Sequence, residues 1–194
     1  MFSALLDTNV LWPSLQRDFL LSMAAEGLYR PLWSDAILDE LHEHEALKLI
    51  SRGTAHAEAL TRSEHLIDRM RGAFDDALVT GWEPLDGSFG LPDRDDEHVV
   101  AAAVVGGAGV IVTDNLKHFP ADQLPAHIDV QAAREFAGST VSVDPARAAR
   151  ALTEISRRHR NPKHTPQELL DVLVSRYGMG DVAEVVAPLL ADQS

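Results

Sequence analysis

The chain has no cysteine, which excludes disulfides and thiolate metal sites and suits a reducing compartment. Any metal must then be held by oxygen or imidazole. It also lacks any run approaching the roughly 18 apolar residues of a membrane span, and its first residues lack a basic region followed by an apolar core. A soluble, unexported, cytoplasmic protein with no membrane partner is expected. Basic side chains are scarce, with 17 Lys and Arg against 30 Asp and Glu and a formal net charge of -13. That balance argues against a protein that coats nucleic acid by bulk attraction. Two common site signatures are missing as well. His42-Glu43-His44-Glu45 does not have the HExxH spacing of zinc proteases and reads as a solvated helix face, with His44 one turn beyond Glu40. Gly106-Gly107-Ala108-Gly109 is not followed by Lys-Ser or Lys-Thr, so it is a turn and not a phosphate loop.

What is present is an alternation of short apolar runs and amphipathic segments, punctuated by acids. At 194 residues with 45% hydrophobic content, the chain suits one domain with a small appendage. Phe2 to Leu6 is too short for a typical helix and stops on Asp7, as a buried parallel strand would. Ligands of open α/β sheets bind at that carboxyl edge, although Asp7 could equally begin a turn or cap the next helix. Pro13 suits a first helical turn, Leu15, Phe19, Leu20 and Met23 follow at helical spacing, and Gly27 offers a stop. Leu28 to Trp33 reads as a second strand. Ser34 caps a helix whose buried side is Ile37, Leu38 and Leu41, leaving Glu40 off the apolar positions near the sheet's carboxyl edge.

A long helix is expected from Thr54 to about Val79, buried through Leu60, Leu66, Ile67, Met70 and Phe74, and broken by Trp82 to Gly87. Asp93-Arg94-Asp95-Asp96-Glu97-His98 opens a helix that becomes almost wholly small and apolar from Val99 to Val105, so that it can pack closely on a sheet. The helix dipole accounts for acids at such a start, but four carboxylates within five residues repel one another, and a cation would relieve the repulsion. Val110 to Val112 is a second apolar run that ends on an acid, at Thr113-Asp114-Asn115. A short strand at Ile128 to Val130 and a small helix to Gly138 complete the core, giving a division into residues 1–138 and 139–194.

Beyond Gly138, three amphipathic helices form an appended helical subdomain. Asp144-Pro145 opens one, with Ala148, Leu152 and Ile155 inward. Thr165-Pro166-Gln167-Glu168 is a capping box opening the second, and Asp181 with Glu184 opens a third that Pro188 should kink or shorten. Residues 144–164 hold Arg147, Arg150, Arg157, Arg158, Arg160 and Lys163 against Asp144 and Glu154, a local balance of +4 that leaves -17 elsewhere. A solvated helix face is the simpler reading; a phosphate-contacting edge or a docking surface for an acidic partner is the functional one.

Right-handed crossovers gather Asp7 and residues 113–115 along one sheet edge, with the helix starts that carry Glu40 and Asp96. Carboxylates gathered without lysine partners form a hard oxygen site suited to Mg2+ or Mn2+. Such ions polarise phosphoryl oxygens and activate water for in-line displacement, which is phosphodiester hydrolysis. In this pattern Leu5-Leu6-Asp7-Thr8-Asn9-Val10, Ile37-Leu38-Asp39-Glu40-Leu41, Asp93 to His98 and Val112-Thr113-Asp114-Asn115-Leu116-Lys117-His118-Phe119 occur in order.

In these four stretches, over roughly residues 1–137, the sequence resembles the PIN-domain nucleases and, among them, the VapC-type ribonuclease toxins of toxin-antitoxin pairs. The resemblance implies a three-layer α/β fold with a central parallel sheet flanked by helices. It implies Asp7 and Asp96 as direct metal ligands, Glu40 completing the acidic cluster, and Thr8 or Asn9 steadying the site. The family commonly has an acid or an asparagine two residues after the threonine of the last motif, which here is Asn115, with Asp114 one residue early. Asp114 is placed first because a charged oxygen serves a cation better; Asp93 or Asp95 could assist or replace Asp96. The implied partners are an RNA such as a transfer RNA, a cognate antitoxin protein and a second copy in a homodimer. Alternatives are a housekeeping PIN nuclease, a haloacid-dehalogenase-type phosphatase, which needs an acid where Asn9 stands, and a binding module whose acids only cap helices.

Overall fold

The structure is a computed structural model and describes residues 2–159 and 162–191. Its centre is a five-stranded sheet with strand order β3-β2-β1-β4-β5, in which β1 is Ser3–Leu6, β2 Arg30–Ser34, β3 Leu78–Val79, β4 Val110–Val112 and β5 Asp129–Gln131. The sheet is flanked by helices, the α/β class expected. β1 pairs in parallel with β4 in the register Leu6↔Val112, and β2 pairs in parallel with β3. Strand order reverses between β1 and β4, so their carboxyl ends form a topological switch point, the position where open α/β sheets bind ligands.

By contact, the chain falls into two compact units, one of residues 2–12 and 31–130 and the other of residues 13–30 and 131–194. The first unit holds most of the sheet together with α1 (Thr8–Leu11), α3 (Asp35–Ser51), α4 (His56–Ala73) and α5 (Glu97–Gly106). Ser34 caps α3 as the sequence indicated, its hydroxyl accepting the Ile37 amide at 3.3 Å, and Ile37, Leu38 and Leu41 are fully buried. In α5, Val99 to Ala103 are all at 0% exposure, and the small side chains bring the helix against β1, β3 and β4. At Gly106 the approach leaves no room for a side chain, since an added Cβ would lie 2.7 Å from Val79 Cγ2 and 3.0 Å from Leu32 Cδ1.

The long helix expected to reach Val79 ends at Ala73. Phe74 leaves the helical region at φ -138°, ψ 76°, packs edge-on against Trp33 at 5.8 Å, and lets Leu78 and Val79 pair with Trp33 and Ser34 as β3. A two-residue strand has too little sequence to announce itself, and sheet pairing overrides the helical pattern. Three smaller expectations are also corrected. Pro13 is the residue before α2 rather than its first turn, the second strand starts at Arg30, and His42 is half-buried with Nδ1 2.9 Å from Ser63 Oγ.

The second unit gathers α2 (Ser14–Ala25), α6 (Ala133–Val141), α7 (Pro145–Arg158), α8 (Pro166–Tyr177) and α9 (Gly180–Ala191). The boundary expected after Gly138 falls inside α6. Thr165 and Glu168 form the expected capping box, and Asp144 caps α7 through the Arg147 amide at 3.1 Å. Pro188 does not shorten α9, which runs on to Ala191. The basic stretch is solvated in part, with Arg150, Arg157, Arg158 and Lys163 exposed, but three of its arginines are also tied to α2. Arg147 donates to the Glu26 carbonyl at 2.8 Å and Arg150 to the Glu26 carboxylate at 2.9 Å, while Arg158 reaches Ser22 Oγ at 2.8 Å. Cations there meet the carbonyl end of the α2 dipole and tie α7 to α2. Arg160 of that stretch lies outside the described residues.

Gly106→Ala should destabilise the protein by about 1–3 kcal/mol in urea unfolding, because the methyl group must displace Val79 and Leu32 from a packed contact.

Candidate metal centre and active site

The register of β1 on β4 places Asp7 beside Thr113, with the Asp7 amide bonded to the Val112 carbonyl at 3.1 Å. Asp7 stands at the N-terminus of α1 and takes a hydrogen bond from the Thr8 backbone, but makes no side-chain capping bond further into that helix. Its Oδ2 instead accepts Thr113 Oγ1 at 2.7 Å and Asn9 Nδ2 at 2.5 Å. Asn9 Nδ2 also reaches Thr113 Oγ1 at 2.8 Å, and its Oδ1 accepts the Asp114 amide at 2.9 Å. The Asn115 amide closes the network on Thr113 Oγ1 at 3.1 Å.

Glu40 comes to the same edge from the second turn of α3. Its Oε2 accepts Thr8 Oγ1 at 2.6 Å, and its Oε1 lies 3.1 Å from His98 Nε2. Burial alone would raise its pKa, but the His98 and Thr8 hydrogen bonds, with the charges of His98 and His44, hold it below the usual glutamate range. For His98 burial acts downward, and the bond and charge of Glu40, helped by Asp7 and Asp86, carry it above the usual range. The two are a mutually stabilised ion pair.

Asp96 precedes α5 and also makes no capping bond. Its Oδ2 is 2.6 Å from His118 Nδ1, and Asp93 Oδ2 is 3.6 Å from the same nitrogen. Asp93, Asp96 and His118 offer ligand atoms that all lie within 4.8 Å of one another. Glu97, between the two site residues of this segment, turns away. It is 2% exposed and accepts the Phe89 and Leu91 amides at 2.8 and 2.7 Å, which fastens the preceding loop.

Of the candidates from sequence, Asp7, Thr8, Asn9, Glu40, Asp93 and Asp96 therefore enter one linked set of bonds and fields. Asp114 and Asn115 are both exposed and contribute backbone amides to it. β4 ends at Val112, so the alternation of a strand does not decide between their side chains. Asp95 is exposed. Sequence reasoning gave no role to Thr113, His98 or His118. The two histidines stood inside the quoted motifs, and the one available signal was a polar ring, His98, at the head of an otherwise apolar helix.

Comparison with known families decides the lineage of this arrangement. The model of the PIN domain matches residues 3–117, which run from β1 through the turn after β4. The chain belongs to the PIN-domain family. No curated protein and no solved structure matches it. PIN domains are nucleases, generally dependent on divalent metal ions and acting on RNA.

The residues present fit such an ion. Among the described residues no Lys or Arg pairs with Asp7, Glu40 or Asp96, and the basic groups that meet the cluster are the imidazoles of His98 and His118. Burial pushes the Asp7 carboxyl up, hydrogen bonds from Thr113 and the Thr8 backbone pull it back, and the charges of Asp96 and Glu40 push it up again, to about 6. An oxygen-rich donor set of this kind suits a hard cation.

Because folded Asp7 binds its proton more tightly than the unfolded chain does, its contribution favours folding near pH 4 and is lost as pH rises through 6. Ionised Asp7 thus costs the metal-free protein about 3 kcal/mol above pH 7. In EDTA, Asp7→Asn should melt above wild type at pH 8 and converge with it only near pH 4. Equal melting curves at both pH values would show that the buried charge is already compensated.

Proposed function

We propose that this chain is a metal-dependent endoribonuclease, the toxin of a type II toxin-antitoxin pair, that hydrolyses a structured RNA such as a transfer RNA. The observation that carries the nuclease reading is the buried Asp7, clamped by Thr113 and Asn9 at the switch point and facing the fields of Glu40 and Asp96 without a cationic partner. Asp7 and Asp96 would hold Mg2+ or Mn2+, with Asp93 and His118 beside them and Asp114 or Asn115 at the rim. The ion supplies activation of water and stabilisation of the leaving oxygen. Thr8 and His98 fix both oxygens of Glu40, which keeps a second carboxylate at the cluster in one orientation. The toxin role, its antitoxin and a homodimer rest on the likeness of the four motifs to the VapC-type toxins, and a cytoplasmic location follows from the same reading.

The phosphatase alternative loses ground because position 9, where it needs an acid, holds an amide that uses both ends to bind Asp7, Thr113 and the Asp114 amide. Incubation of a transfer-RNA mixture with wild type and with Asp7→Asn, each in Mn2+, Mg2+ or EDTA, tests the proposal. Wild type should cleave only with metal, Asp7→Asn should be slower by about 100-fold or more while remaining folded, and cleavage should weaken steeply between 50 and 200 mM salt. Turnover of a small phosphate ester with no RNA cleavage would move the assignment to a phosphatase. Induced wild type should arrest growth where Asp7→Asn does not; RNA cleavage without arrest would assign a housekeeping nuclease.

A further inference from the structure

α1 and α3 run side by side as a ladder whose first rung lies in the acidic cluster. There Thr8 Oγ1 donates to Glu40 Oε2 at 2.6 Å. One turn further on both elements, Trp12 Nε1 donates to the His44 carbonyl at 3.3 Å, and the indole and imidazole rings meet edge to face at 6.5 Å. One more turn along α3, Lys48 Nζ donates to the Trp12 carbonyl at 3.4 Å and sits 5.7 Å from the indole centroid. The Trp12 amide bonds back to the Thr8 carbonyl at 2.9 Å, which fixes the step between the rungs at one helical turn, about 6 Å.

Core packing does not account for this indole. Trp33 is fully buried, whereas Trp12 is 42% exposed although its N–H, its carbonyl and its ring are all engaged. The contacts hold a flat apolar surface open to solvent in one orientation, a turn away from Glu40, and the Lys48 ammonium beside it is itself ion-paired with Glu45. A fixed, exposed aromatic face is what a single-stranded nucleic acid uses, because every base has a face to stack.

We propose that Trp12 is the stacking platform for a nucleobase flanking the scissile phosphate, with His44 and Lys48 holding its ring in place. The inference rests on the nuclease reading above and adds to it a single-stranded or unstacked nucleotide at the cut site.

The test measures kcat/KM on a short RNA in Mn2+, for substrates made abasic in turn at each nucleotide flanking the cut. With wild type, one abasic position should lower kcat/KM about tenfold, carried by KM. Trp12→Ala should show the same loss on intact RNA and no further loss on that abasic substrate, and Trp12→Phe should recover most of it. Wild-type kinetics from Trp12→Ala, or losses that multiply, would overturn the proposal and leave the indole to a protein contact with the nuclease intact. If wild type cleaves no RNA, the nuclease reading falls and binding decides the platform. RNA should then quench tryptophan fluorescence in Asp7→Asn, and the quench should vanish when Trp12→Phe is added; an unchanged quench, or none, overturns it.

Discussion

Three backbone pairings between β1 and β4 set the position of nearly every group at the site. With Leu6 opposite Val112, the next residues on each strand, Asp7 and Thr113, leave the sheet at the same level, and the hydroxyl meets the carboxylate at 2.7 Å. A slip of one residue would turn Asp7 to the other face and separate it from both Thr113 and Asn9. The register is itself held by burial, since Ala4, Leu5, Leu6, Ile111 and Val112 are all fully covered. Hydrophobic packing, which has no chemical specificity of its own, thereby fixes the geometry of a polar site.

The polar site works against that stability. Asp7 is held where water has been removed and two further acids press upon it, and no Lys or Arg among the described residues pairs with it. Elsewhere the same protein pairs its acids readily, as Arg150 with Glu26 and Arg71 with Asp35 show. The contrast separates acids that are paired with arginine from acids that are gathered without one. The histidines modulate the contrast, His98 toward Glu40 and His118 toward Asp96, without cancelling it.

Features set by neighbours in the chain were legible in the sequence. Ser34 as a cap, the Ile37, Leu38 and Leu41 stripe, the apolar α5 and the Thr165 capping box all follow from local spacing, and the acids at strand ends and helix starts pointed to the right edge of the sheet. Features that depend on distant partners were not. β3 exists because Trp33 and Ser34 wait for it, Arg147, Arg150 and Arg158 of α7 bind Glu26 and Ser22 more than 120 residues earlier, and Thr113 acquires its role only when β4 lies against β1. His98 illustrates the limit well: its value comes from Glu40, 58 positions away, and nothing adjacent to it in sequence says so.

The turn that opens α5 joins two otherwise separate structures. Asp96 and His98 face the acidic cluster while Glu97 between them grips the Phe89 and Leu91 amides. A rotation of that turn large enough to withdraw Asp96 would also pull the Glu97 carboxylate away from both amides. Hydrogen exchange at Phe89 and Leu91 therefore reports on the integrity of a site to which neither residue contributes an atom, and cooperative opening of the two would register as simultaneous loss of protection.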